Sequence, residues 1–277
     1  MGQLSEELAH KKSNYFNPDI DLLYGLDSRV MREFDINAAG LSMIRRFKML
    51  GPKDIRRLEA MDKYTRNVVI GRIRGNYPDF SKELKTHIRD TMYEFMIENG
   101  VEDENIISIN NDAVTVIQPR IKSHKLKIND ITFKISGVYD SFVLINRVSF
   151  FRGTDGNMTV KGISDAGRDL CKDYMIEQFN TWLGELENGY KPIDILKDIR
   201  DFKDLYCNKN LDINFYRNIR NGQFQMNEMG SKYSIVSFIN DFEDADWKDK
   251  IDISPTLIEF IIPFISVMLS KYNSIAA

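Results

Sequence analysis

Two aspartates stand out by placement. Asp35 closes the strand-like segment RVMREFDI and is followed at once by a helical segment. Asp112 sits at the tip of IISINNDAVTVI, where two β-branched runs flank Asn110-Asn111, a pair that tolerates left-handed backbone angles. If the two strands are neighbours in one sheet, both carboxylates meet at its edge. There they could share a pair of Mg²⁺ or Mn²⁺ ions ~3.5–4 Å apart, an arrangement that activates a hydroxyl nucleophile and steadies a leaving phosphate group. An aspartate in a hairpin turn is more often a turn former, so the residues alone leave both readings open. Lys63 lies among Arg56, Arg57, Arg66, Arg72 and Arg74. A basic helix of this kind suits a triphosphate or a nucleic-acid backbone, and it also suits a solvated face.

The elements that must position these groups can be read from periodicity. After RVMREFDI, Asn37 can cap a helix over AAGLSMIRRFKML, which Gly51 stops. Pro52 fits the first turn of a second helix, PKDIRRLEAMDKYTRNVVIGRI. A third starts at Asp79 or Ser81 and ends at Gly100, with Leu84, Ile88, Met92 and Met96 as its apolar stripe. The period then changes to two, through the Asp112 hairpin, a second hairpin LKI-ND-ITFKI, and strand-like sequence as far as MTVKGI. From Ser164 the chain reads as helical, in SDAGRDLCKDYMIEQFNTWLGELENG and PIDILKDIRDFKDLY. This order of elements predicts an α+β fold.

Composition sets the bounds. The 277 residues include 43% hydrophobic residues, enough for one or two domains with a real core. With 38 basic and 41 acidic side chains, the formal net charge of -3 excludes a protein that grips nucleic acid over its whole surface, but not a local basic stripe. Two cysteines and three histidines lie scattered without zinc-ligand spacing, so reduced thiols in a cytoplasmic protein are expected. The opening MGQLSEELAHKK lacks the apolar core of a signal peptide. The apolar run from Thr256 to Leu269 contains Glu259 and Pro263 and falls short of the ~20 residues that span a bilayer, so it reads as a buried helix and no membrane association is expected.

Several segments, taken in order, resemble the family B DNA polymerases. DINAAGLSMI, from Asp35 to Ile44, is similar to motif A, an aspartate followed by SLYPSI. KYTRNVVIG keeps the spacing of motif B, KxxxNSxYG, at Lys63, Asn67 and Gly71. SINNDAV resembles motif C, YxDTDS, with Asp112 at its second aspartate. FKISGVYDSFVLINRVSFF resembles the strands leading to the KxY motif, with Arg147 and Phe150 near it. NMTVKGISDAGRDL resembles the KGxExxRRD segment at Lys161, Gly162, Arg168 and Asp169. The resemblance covers roughly residues 29–190. It implies a polymerase palm with an antiparallel sheet and flanking helices (29–163), minimal fingers at about 51–78, and a mostly helical thumb-like region (164–277) after a polar lead-in (1–28). It further implies metal ligation by Asp35 and Asp112, with Mg²⁺ or Mn²⁺ as cofactor. By the same resemblance Lys63, Asn67, Gly40 and Gly71, with Arg56 and Arg57 nearby, would face the incoming nucleoside triphosphate, and Lys161, Arg168 and Arg147 the primer-template.

The departures carry their own implications. Asn110 stands where the family has the first aspartate of DTD, which lowers the charge of the site. Gly40 stands where the family has a tyrosine beneath the sugar, which predicts weak rejection of ribonucleotides. Asp35 and Lys63 are close in sequence, leaving room for only a helical hairpin as fingers. Thirty-four residues before Asp35 are too few for an exonuclease domain, so the expectation is a polymerase without its own proofreading, or a split polymerase with a second subunit, as in viral systems working in a host cytoplasm. A palm-like accessory subunit without activity, and primase-like or template-independent nucleotide addition, are the alternatives.

Overall fold

The computed structural model describes residues 14–145, 148–161, 172–211, 225–228, 231–234 and 248. The chain is mixed α+β and forms two compact units, Met1–Ile20 with Leu26–Asp140, and Asp21–Gly25 with Ser141–Ala277.

The first unit is an antiparallel sheet with helices packed on one face. Its strands are β1 (Asn14–Phe16), β3 (Arg29–Ile36), β4 (Ile106–Asn110), β5 (Ala113–Pro119), β6 (Lys127–Ile128) and the first ten residues of β7 (Ile131–Ile145). They lie in the order β1-β4-β5-β3-β7, with β6 paired to the start of β7. The helices α1 (Ala39–Arg46), α2 (Pro52–Glu59), α3 (Lys63–Asn76) and α4 (Pro78–Glu98) all fall between β3 and β4. Strand residues alternate between faces. Phe34 and Ile36 of β3, Val114 and Val116 of β5 and Phe133 of β7 therefore share the helix side with Met43, Ile44, Leu84, Met92, Phe95 and Met96. Phe95 is the centre of this core, 5.1 Å from the Phe34 ring centroid and stacked on Phe133 at 4.1 Å. Truncating so enclosed a phenylalanine costs about 3–5 kcal/mol.

Several local expectations are corrected by the backbone. Asn37 does not cap α1; the residue before the helix is Ala38, held in the left-handed region at φ 49°, and no side chain caps the helix. The long helix expected after Pro52 is two helices, because Asp62 accepts from the Thr65 amide at 3.0 Å and starts α3 afresh. The helix expected from Asp79 or Ser81 begins at Pro78, in the first-turn position where a missing amide costs nothing. The lead-in holds two short strands, β1 on β4 and β2 (Leu22–Leu23) on the end of β7. His124 is half-buried: its ring lies 4.7 Å from that of Phe34, and burial, then Arg32 and Lys122, lower its pKa to about 4.

The second unit contains β2, the last part of β7, the hairpin β8 (Val148–Gly153) and β9 (Met158–Lys161), and the helices α5 (Lys172–Glu187) and α6 (Pro192–Cys207). Phe150 of β8 packs edge-on against Phe179 of α5 at 4.3 Å. Arg152 of β8 binds both the Ser141 hydroxyl and the Glu187 carboxylate. A further hairpin, β10 (Gln225–Glu228) with β11 (Ser231–Ser234), lies in the stretch expected to be mostly helical. Cys207 is a free thiol. Cys171, Arg147, Arg168 and the apolar run Thr256–Leu269 lie outside the described residues.

Candidate functional site

The two aspartates are brought together by strand register. Asp35 of β3 lies opposite Ala113 of β5, so its sequence-distant partner Asp112 is the next residue along. The Ile36 amide donates to the Asp112 carbonyl at 3.0 Å and fastens the hairpin tip to the end of β3. Asn110 and Ala113 are paired, leaving Asn111 and Asp112 as a two-residue turn. Asn111 opens it at φ 53°, a conformation its short polar side chain tolerates.

Asp35 points away from the Phe34 face, since neighbouring strand residues alternate. On its other side lies Lys134 of β7, directly cross-strand, with Nζ 3.0 Å from Asp35 Oδ2. Glu33 shares this polar face and is buried, accepting from the Tyr139 hydroxyl at 2.8 Å. Gly137 sits opposite Glu33, and a Cβ there would come within 2.1 Å of that hydroxyl, so only glycine leaves room for the contact.

Asp112 also borders a pocket of about 540 Å³ on the helix side. Ala39 and Gly40 of α1, Ile70 and Arg74 of α3, and Leu84, Lys85, Ile88 and Arg89 of α4 complete its wall. None of Arg74, Lys85 and Arg89 is engaged in an ion pair among the described residues. Burial pushes the Asp112 carboxyl above the usual carboxylate value, and the negative charge of Asp35 pushes it further. Lys134 and Arg74 act in the opposite sense. A divalent cation held by the two aspartates would favour the ionised form of Asp112. The donors are hard oxygens, suited to Mg²⁺ or Mn²⁺. No group of three or more histidine, cysteine or acidic side chains with metal-site geometry exists among the described residues, so such an ion would take its remaining ligands from water or from the bound molecule.

The other expected residues fall in different places. Gly40 lines the pocket, and a Cβ on it would touch Ile70 at 3.4 Å. Lys63 and Asn67 are exposed on α3, on the same helical stripe as Ile70 and Arg74 by their spacing of four, three and four. Lys63 lies eleven residues before Arg74, about 16 Å along the helix. Gly71 is exposed beside this stripe, with open space around its Cα. Arg56 and Arg57 are not brought to the aspartates: both are exposed on α2, and Arg57 pairs with Asp54 at the edge of a separate, apolar cavity. Lys161 ends β9 in the second unit, its ammonium 5.1 Å from the centre of the Phe151 ring. Lys85, Arg89 and Lys134 were not among the expected site residues. Lys85 and Arg89 flank the apolar stripe of α4, and their i, i+4 spacing was the one signal available.

The fold and site together define a class: an α+β protein with two aspartates at one edge of an antiparallel sheet, beside a basic pocket. Residues 5–270 match the family described as Bacteriophage PBS1 gene 130 protein, and the chain belongs to that family. No curated protein matches it. No helix among the described residues is long and apolar enough to cross a membrane.

Proposed function

We propose that this chain is a template-directed nucleotidyltransferase of the DNA polymerase kind, extending a primer either alone or with a second polymerase subunit. One observation carries the reading: strand pairing sets Asp35 beside Asp112, and Asp112 borders a pocket whose wall bears Arg74, Lys85 and Arg89. Carboxylates that can hold a divalent cation, next to basic side chains that can hold phosphates, are what phosphoryl transfer from a nucleoside triphosphate requires. The order of segments resembling family B motifs, running from Asp35 through Lys63 to Asp112, supports the same reading.

In this mechanism Asp35 and Asp112 would hold the metal, and Arg74, Lys85 and Arg89 would orient and neutralise the triphosphate. When bound, the divalent ion stabilises charge on the reacting oxygens and favours the ionised nucleophile. Lys63 and Asn67, farther out on the same stripe of α3, meet the phosphate tail or the template. Gly40 leaves the pocket open beside the sugar, which admits ribonucleotides. By resemblance alone, Lys161, Arg147 and Arg168 would contact primer-template. A phage family fits work in the host cytoplasm.

A second reading has its own observation. Lys134 already neutralises Asp35, and Asn110 brings no third carboxylate, a pattern that also suits an inactive palm-like subunit in a replication complex. Primase-like or template-independent addition rests on Gly40 alone. Templated primer extension by the purified chain, set against Asp112→Ala, separates these readings. Extension lost in the variant supports the first; no extension with any nucleotide supports the second; extension without template supports the third.

A further inference from the structure

We propose that Lys134 supplies one of the two positive charges of the site, so that Asp35 and Asp112 take a single divalent cation rather than a pair. The inference rests on the metal-site reading above.

Register fixes the lysine. Lys134 is the residue of β7 directly opposite Asp35 on β3, and its Nζ is 3.0 Å from Asp35 Oδ2, the distance of a charge-assisted hydrogen bond. An ammonium there occupies one oxygen of a carboxylate that two metal ions would have to bridge. Ligand supply points the same way. The turn offers Asp112, whereas Asn110 beside it is neutral, and no third acidic side chain joins the two aspartates in a metal-binding cluster among the described residues. The surroundings agree as well. Arg74, Lys85 and Arg89 line the pocket at Asp112, while Lys134 pairs with Asp35, so a second dication would add to the positive charge already beside the two aspartates. Like charges a few ångströms apart in a partly buried site repel strongly.

Lys134 is thus a positioning residue. It holds Asp35 on the polar face of the sheet and stands in for the cation that a third carboxylate would recruit. A lysine does this without being drawn from solution, so the site fills at the concentration that suits one ion. Half of the Lys134 side chain is exposed (49%), so its replacement leaves the core untouched.

The test is Mn²⁺ binding to the full chain, counted by calorimetry and by electron paramagnetic resonance, for wild type, Lys134→Met, Lys134→Arg and Asp112→Asn. Wild type should bind one uncoupled Mn²⁺ that Asp112→Asn loses. Lys134→Met should bind the first ion roughly tenfold tighter, as expected on removing a neighbouring like charge. It should also gain a second ion with a spin-coupled spectrum, while Lys134→Arg stays at one. The ion count decides. A coupled pair in wild type, or a single ion in Lys134→Met, overturns the inference while leaving the metal site standing. A wild type that binds no Mn²⁺, or whose binding survives Asp112→Asn, overturns the metal reading and this inference with it.

Discussion

The amide of Ile36 donates to the carbonyl of Asp112 across 3.0 Å, one residue beyond Asp35. This bond makes two local features into one site. The end of β3 and the tip of the β4–β5 hairpin cannot shift separately, because the β3–β5 ladder runs unbroken from Arg29 opposite Pro119 to Asp35 opposite Ala113. A one-residue slip of β5 would turn Val114 and Val116 out of the Phe34 core, so apolar packing sets the register that brings Asp112 beside Asp35.

The segment after Asp35 is strained at Ala38, whose φ of 49° is costly for a residue with a Cβ and no polar side chain. Ala38→Gly should raise stability by about 1 kcal/mol, read as a higher midpoint in urea with an unchanged slope. No gain would mean that the turn relaxes in solution.

Asp112 itself should cost stability. Burial and the Asp35 charge make its folded form keep a proton to higher pH than the unfolded chain does. Its contribution is therefore fully present below the ordinary value of 3.8 and lost as pH rises through the raised one. In the presence of a chelator, Asp112→Asn should melt higher than wild type at pH 7, with the gain shrinking toward pH 4. Thermal melts across that range check the sign. Divalent metal should narrow the difference by stabilising wild type alone.

Much of the scaffold was legible because its signals are local. RVMREFDI, the Asn111 and Asn129 turns, and the stripe through Leu84, Met92 and Met96 each depend on residues close in sequence. Asp35 and Asp112 could be paired from sequence because each closes or opens an apolar strand. Lys134 could not: only the β3–β7 register, with its irregularity between Glu33 and Phe34, sets it opposite Asp35. The break between α2 and α3 was hidden because Asp62 reads as one more polar residue until its carboxylate is seen to cap Thr65. β1 and β2 are too short to show a period, and they form because β4 and β7 offer them an edge.

The basic pocket gives a ranking. Arg74→Ala and Arg89→Ala should each raise the KM for nucleoside triphosphate about tenfold or more, the loss expected when a charged hydrogen bond is removed. Lys63→Ala, about 16 Å from Arg74 along α3, should cost less. Steady-state kinetics on the three variants test the order. A dominant Lys63 would place the phosphates outward along α3.

The role proposed for Gly40 predicts a sugar preference. Wild type should use ribonucleotides and deoxynucleotides with comparable kcat/KM, because no side chain at position 40 narrows the pocket next to Ile70. Gly40→Tyr should favour deoxynucleotides by roughly tenfold or more, through steric exclusion. Competition between the two substrates measures this, and an already strong deoxynucleotide preference in wild type would refute the role given to Gly40.

Primer extension tests the central claim most directly. The purified chain, a primed template and Mg²⁺ or Mn²⁺ are combined with deoxynucleotides and with ribonucleotides in turn, alongside Asp35→Ala and Asp112→Ala. The account predicts templated extension by wild type that both variants lose. Extension that persists in Asp112→Ala, or wild type that extends nothing with either metal and either sugar, would contradict it.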